Sequence, residues 1–215
     1  MERKPEWLRV RYNQKAVAEV AQLLGELRLN TVCKEANCPN LGECYRKHTA
    51  TFMILGSQCT RNCRFCSVTP GHPQPPDPEE PENVAAAAKK LGLRHVVLTC
   101  PTRDDLPDGG AEQFAQTVRA IRRACPGATV ETLISDMQMN TAALDAVIEA
   151  RPEVLNHNVE TVRALQKAVR PQADYERSLA VLRYCKEKDA ALLTKTGFMV
   201  GLGETEEQIE ELLDD

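Results

Sequence analysis

Six of the nine cysteines in this 215-residue sequence fall in two triplets. Cys59, Cys63 and Cys66 form C-x3-C-x2-C, and Cys33, Cys38 and Cys44 form C-x4-C-x5-C. Three thiolates on one short loop can wrap a corner of an iron–sulfur cluster, whose irons cysteine thiolates hold. Three ligands leave the fourth iron free, and an open position is what a metal needs to bind a substrate. The competing chemistry is structural zinc. Zinc takes four ligands, commonly from two separated pairs, and only His72 stands nearby to complete a set. Ligand type and number favour the cluster. Disulfides fit poorly, because the cysteine total is odd and clustered cysteines in a reducing compartment usually serve metals or catalysis.

The elements around these loops alternate. Apolar Val17, Val20, Leu24 and Leu27 give residues 13–28 a helical stripe. Thr51 to Leu55 is a short apolar run that ends at Gly56 and reads as a buried strand. The proline-rich stretch Pro70 to Pro81 reads as a connector. Helices are expected at 83–91, 111–124, after an N-cap at Thr141, at 159–169 and at 174–188. Strands are expected at 95–99, 129–134, 153–157 and 192–200. Thr205 and Gln208 fit a capping box that opens a last helix. Strands alternating with helices argue for parallel βα units. The expected fold is α/β, a partial parallel (β/α)6-type barrel with five of its six units. An N-terminal cysteine-bearing extension over 1–48 precedes the barrel at 49–215.

A net charge of −4 with no Lys/Arg run argues against a nucleic-acid partner. No apolar run approaches the roughly 20 residues that span a bilayer. Met1 to Trp7 lacks the apolar core of a secretory signal, so a cytoplasmic protein is expected.

The C-x3-C-x2-C triplet directly after a first strand resembles the radical S-adenosylmethionine superfamily. Closer still, several stretches together resemble the lipoyl synthase family over nearly the whole chain. They are Thr31 to Cys44, Ala50 to Gly56, Cys59 to Cys66, Arg103 to Gly110, Asn156 to Thr161, and Thr194 to Glu204. The resemblance implies two [4Fe-4S] clusters and S-adenosylmethionine as cofactors. The Cys59/Cys63/Cys66 cluster would reduce S-adenosylmethionine to a 5′-deoxyadenosyl radical. The Cys33/Cys38/Cys44 cluster would supply two sulfur atoms for C6 and C8 of an octanoyl chain. That chain is carried by a lipoyl carrier domain or the glycine-cleavage carrier protein, and a ferredoxin or flavodoxin would donate electrons. Another sulfur-inserting radical enzyme and an inactive fragment are the alternatives.

By the same resemblance, Phe65 and the turn with Gly197, Gly201 and Glu204 lie near the adenine. Asn156, Asn158 and Glu160 would bind ribose or methionine, and Thr99 with Arg103 to Asp105 would hold the amino group. His157 reads as a packed core histidine. Arg61 and Arg64 read either as charges that tune the cluster or as solvated charges. Lys195 and Arg170 read as carboxylate or carrier contacts, or as ion-pair residues. Cys100 stands where the family commonly has serine, and Cys125 and Cys185 read as packing residues. The family's sixth strand and a later Arg-Ser-Ser motif, whose serine ligates the second cluster, do not occur in these residues. The sequence is therefore expected to match about the first three-quarters of the family's length.

Overall fold

The computed structural model describes residues 14–32 and 49–215. Cys33, Cys38 and Cys44 lie outside the described residues. Helix α1 (Gln14–Glu26) leads to strand β1 (Asn30–Thr31), followed by β2 (Thr49–Met53). The cysteine loop carries two short strands, β3 (Gln58–Cys59) and β4 (Thr69–Pro70). Then come α2 (Glu80–Lys90), β5 (His95–Thr99), α3 (Ala111–Ala124), β6 (Thr129–Leu133), α4 (Thr141–Glu149) and β7 (Val154–Asn156). The short α5 (Gln166–Val169), α6 (Tyr175–Lys188), β8 (Leu193–Lys195) and α7 (Glu206–Asp214) complete the order.

The main sheet runs β1-β2-β5-β6-β7-β8. Every pair from β2 onward is parallel, and β1 adds antiparallel to β2. The expected parallel α/β architecture is therefore the observed one. The register aligns Met53, Thr99, Leu133, Asn156 and Lys195 in one row at the carboxyl ends of the strands. Side chains alternate across a strand. Ala50, Phe52, Val96, Leu98, Val130 and Leu155 share one face and join the buried core with Val84, Phe114, Val118, Ile121, Leu144 and Val147 of the helices. Thr99, Glu131, Asn156 and Lys195 belong to the other face.

Local chemistry sets the helix ends. Pro81 sits in the first turn of α2, where a missing N–H costs nothing, and Gly92 at φ 61 follows its end. The connector is thus shorter than expected, and α2 begins at Glu80 rather than 83. The cap of α4 is Asn140, whose side chain accepts from Ala143 N, so Thr141 is the first helical residue. The capping box at Thr205 and Gln208 is formed.

Two further expectations are corrected. Residues 159–169 are not one helix; a 3-10 turn at Arg163–Leu165 and the four-residue α5 replace it. The strand expected over 192–200 is confined to Leu193–Lys195. The reason is shared. Glu160 and Phe198 form a bridge in which Glu160 N donates to Gly197 O and Met199 N donates to Glu160 O. Val159 and Val162 pack with Tyr175 and Leu212 in a second small core. Their helix-like spacing reflects that loop core.

Candidate cofactor site at the strand ends

Cys59 ends β3, and the chain from it to Cys66 docks on the segments that follow β5 and β7 in the chain. Backbone pairing docks this loop. Thr60 N donates to Thr102 O at 3.0 Å, Gly71 N to Cys59 O at 2.9 Å, and Arg64 N to Val169 O at 2.9 Å. Asn62 N donates to Gln172 Oε1 at 2.8 Å.

The sulfur atoms receive hydrogen bonds from amides. Cys59 Sγ accepts from Thr102 N at 3.2 Å and Arg61 N at 3.4 Å, and Cys66 Sγ accepts from Val68 N at 3.5 Å. Cys63 is half-buried. Burial pushes its thiol up, the Arg170 guanidinium pulls it down, and the Cys59 and Cys66 thiols push it up again. The three cysteines are free. Among the described residues, no three His, Cys, Asp or Glu side chains gather tightly enough to hold a single metal ion. His72 is exposed and joins no such group. Three thiols on one loop, with amides that stabilise thiolate, fit a multi-iron cluster.

Arg170 lies beside Cys63, and Asn158 and Glu160 lie beside Arg170, with Gly197 against Asn158. Arg170 is buried and its Nη1 donates to Asn158 O and Val159 O at 3.2 and 2.9 Å. Its Nε is buried without a hydrogen-bond partner among the described residues. Burial raises the Glu160 carboxyl, opposed by an Asn158 hydrogen bond and by Arg170. A Cβ on Gly197 would lie 3.2 Å from Asn158 Oδ1, so the missing side chain permits this approach.

Other expected residues fall elsewhere. Thr99 is buried in the row at the strand ends. Asn156 is also in that row, but its Nδ2 donates to Glu131 at 3.1 Å while its Oδ1 is buried without a partner among the described residues. Gly201 and Glu204 form a separate exposed turn. The Glu204 carboxylate accepts from Gly201 N and from Leu202 N, which lower it below the usual range. Phe65 is 38% exposed and so is not a core residue. His157 is buried, with Nδ1 donating to Ile134 O at 3.0 Å, and burial lowers it to about 4. Cys185 is a buried packing residue in α6, and burial pushes its thiol up to about 12. Cys125 is only half-buried, as the C-cap of α3. Burial also pushes up the Cys100 thiol.

Two charged residues, Arg61 and Arg103, are not what the sequence suggested, while Lys195 takes the ion-pair role that was one of its readings. Arg61 is 3% exposed and forms a double bidentate bridge, so it is neither a solvated charge nor a free one. Nε and Nη2 donate to Asp104 at 2.7 and 2.8 Å. Nη1 and Nη2 donate to Asp136 at 2.9 and 2.6 Å. Arg103 is also buried, and its donors go to Asp105, Leu55 O and Gln74 O. It clasps the connector to the end of β2. Lys195 pairs with Glu131 at 2.8 Å. Asp136 and Glu131 escaped the sequence reading. Asp136 lies three residues past β6, at a carboxyl strand end, and that position was the available signal.

The radical SAM superfamily profile matches residues 53–215. The lipoyl synthase of Caldanaerobacter subterraneus subsp. tengcongensis is 57% identical over 213 residues, covering 99% of this chain and 75% of that protein. That of Rubrobacter xylanophilus is 56% identical over 207 residues, covering 96% of this chain and 64% of that protein. The chain belongs to the lipoyl synthase family. Among solved structures, methylornithine synthase superposes with a TM-score of 0.60 at 17% identity, covering 89% of this chain and 58% of that one, which shows the shared fold. The residues matched by the superfamily profile include the Cys59–Cys66 loop.

Proposed function

We propose that this chain carries the radical-generating part of a lipoyl synthase, which inserts sulfur at C6 and C8 of a protein-bound octanoyl group. The observation that supports this most is the free thiol triplet Cys59, Cys63 and Cys66, docked on the segments that follow β5 and β7 of a parallel sheet in a chain of this family. These three residues would hold a [4Fe-4S] cluster, and Asn158, Glu160, Gly197 and Thr99 would bind S-adenosylmethionine. Bound there, the cluster supplies an electron and an open iron, and with S-adenosylmethionine supplies the radical that unactivated C–H bonds require.

The chain's own residues then have definite tasks. Amides of Arg61, Thr102 and Val68 stabilise thiolate sulfur. Arg170 places a buried positive charge beside Cys63 and Glu160. Gly197 leaves room for Asn158 to face the site.

In the same reading, Cys33, Cys38 and Cys44 of the extension 1–48 hold the second cluster, the sulfur donor. Phe65, Asn156, Gly201 and Glu204 are further S-adenosylmethionine contacts. Phe65 is exposed and available for that role. The substrate is an octanoylated lipoyl carrier domain or glycine-cleavage carrier protein, the electron donor a reduced ferredoxin or flavodoxin, and the compartment the cytoplasm. Among the described residues no helix is long and apolar enough to cross a membrane. The test is anaerobic reconstitution with iron and sulfide, then dithionite and S-adenosylmethionine. Release of methionine and 5′-deoxyadenosine is expected. A loaded chain that releases neither refutes the radical chemistry. Release without any sulfur transfer to an octanoylated carrier, by the protein with its family's full length, refutes the lipoyl assignment.

A further inference from the structure

We propose that Arg61 is a positioning residue for the cysteine loop, and that its bridge to Asp104 and Asp136 sets how tightly the loop retains its cluster. The proposal rests on the reading that Cys59, Cys63 and Cys66 hold that cluster. Arg61 sits between the first two of these cysteines, yet its side chain turns into the protein. One guanidinium engages two carboxylates, four hydrogen bonds of 2.6–2.9 Å in all. Planar bidentate pairing fixes orientation as well as distance, which a lysine cannot reproduce.

The bridge joins two neighbouring strand ends. Asp104 follows β5 and Asp136 follows β6, so Arg61 ties the loop to two adjacent strand ends. Arg177 of α6 adds a 2.9 Å bond to Asp136, and Gln138 joins Asp104 to Arg177. Two arginines and two aspartates balance. The network therefore offers little net charge to a cluster, and its effect on the loop is geometric. The turn that presents Asp136 is unusual. Met137, Gln138 and Met139 have φ of 42, 52 and 57, three successive non-glycine residues in the left-handed region. Such strain persists only where surrounding contacts hold it, and it concentrates at functional sites. Here it is spent on aiming one carboxylate and one amide at the clamp.

The experiment compares iron release to a chelator from the anaerobically reconstituted chain and its variants, with Cys59→Ala marking the iron held elsewhere. Arg61→Lys keeps the charge and loses the double bridge. Asp104→Asn, at the exposed side of the bridge, is the milder second variant. Outer partners of metal ligands typically tune retention about 10–100-fold. Both variants are expected to release the Cys59-dependent iron at least about tenfold faster than wild type. Ile121→Val in the distant core controls for lost stability, and it should release iron at the wild-type rate. Wild-type rates in both clamp variants overturn the proposal, as does equal acceleration in Ile121→Val. A wild-type chain with no Cys59-dependent iron overturns the cluster reading itself, and the proposal with it.

Discussion

Asp136→Asn removes one charge from the clamp while keeping its shape. Asp136 is fully buried and accepts from Arg61, from Arg177 and from the amide of Gln138. Burial opposes its charge, but these partners prevail and hold its carboxyl at about 2, against an ordinary 3.8. At 1.36 kcal/mol per pH unit, that gap corresponds to about 2.4 kcal/mol. Removing one member of a buried ion pair costs about 3–5 kcal/mol when the other is stranded. Arg61 is not stranded, because Asp104 still engages it bidentately, so about 2–3 kcal/mol is expected. In a chain of this size, that lowers the melting temperature by about 4–12 °C at pH 7. The sign with pH follows from the depressed value. The stabilisation is complete above pH 3.8 and disappears as pH falls through about 2. Thermal unfolding of the metal-free chain, followed by circular dichroism at neutral pH and below pH 4, measures both effects. A loss under about 2 °C at pH 7, or a gap between wild type and variant that does not narrow in acid, refutes the reasoning.

Gly110→Ala is expected to destabilise by about 1–3 kcal/mol, because the added Cβ would lie 2.2 Å from Leu55 Cδ1 at a φ of 93; an unchanged melting temperature refutes it. Arg151→Gly should stabilise by about 0.5–1 kcal/mol, since this exposed residue after α4 has a φ of 60 that glycine adopts freely. Equilibrium urea unfolding measures that gain, and a loss of stability contradicts it. Cys63→Ala should abolish methionine release from S-adenosylmethionine by the reconstituted chain, whereas Cys125→Ala should leave it unchanged. Loss in both would point to general damage instead of a ligand role.

Much of the layout was legible because it is written in local pattern. Val96 and Leu98 alternate with half-exposed neighbours, and Phe114, Val118 and Ile121 recur at helical spacing. Gly92 punctuates the end of a helix, and Thr205 with Gln208 opens another. The same local signals misread 159–169, because Val159 and Val162 point into a small core while the backbone between them pairs with Phe198. A pairing partner 38 residues away leaves no periodic trace.

The cysteine loop shows the same division. Residue type and spacing alone singled out Cys59, Cys63 and Cys66 as a candidate metal-binding triplet, since ligand chemistry needs only thiols close together along one chain. They also determined the parallel βα order, since each element's hydrophobic period is local. Only the tertiary structure decided what Arg61, Arg103 and Lys195 do. A charged side chain in a sequence looks the same whether water or a carboxylate surrounds it. Asp104 and Asp136 lie 43 and 75 residues from Arg61, and only the register of the parallel strands brings their carboxylates to one guanidinium.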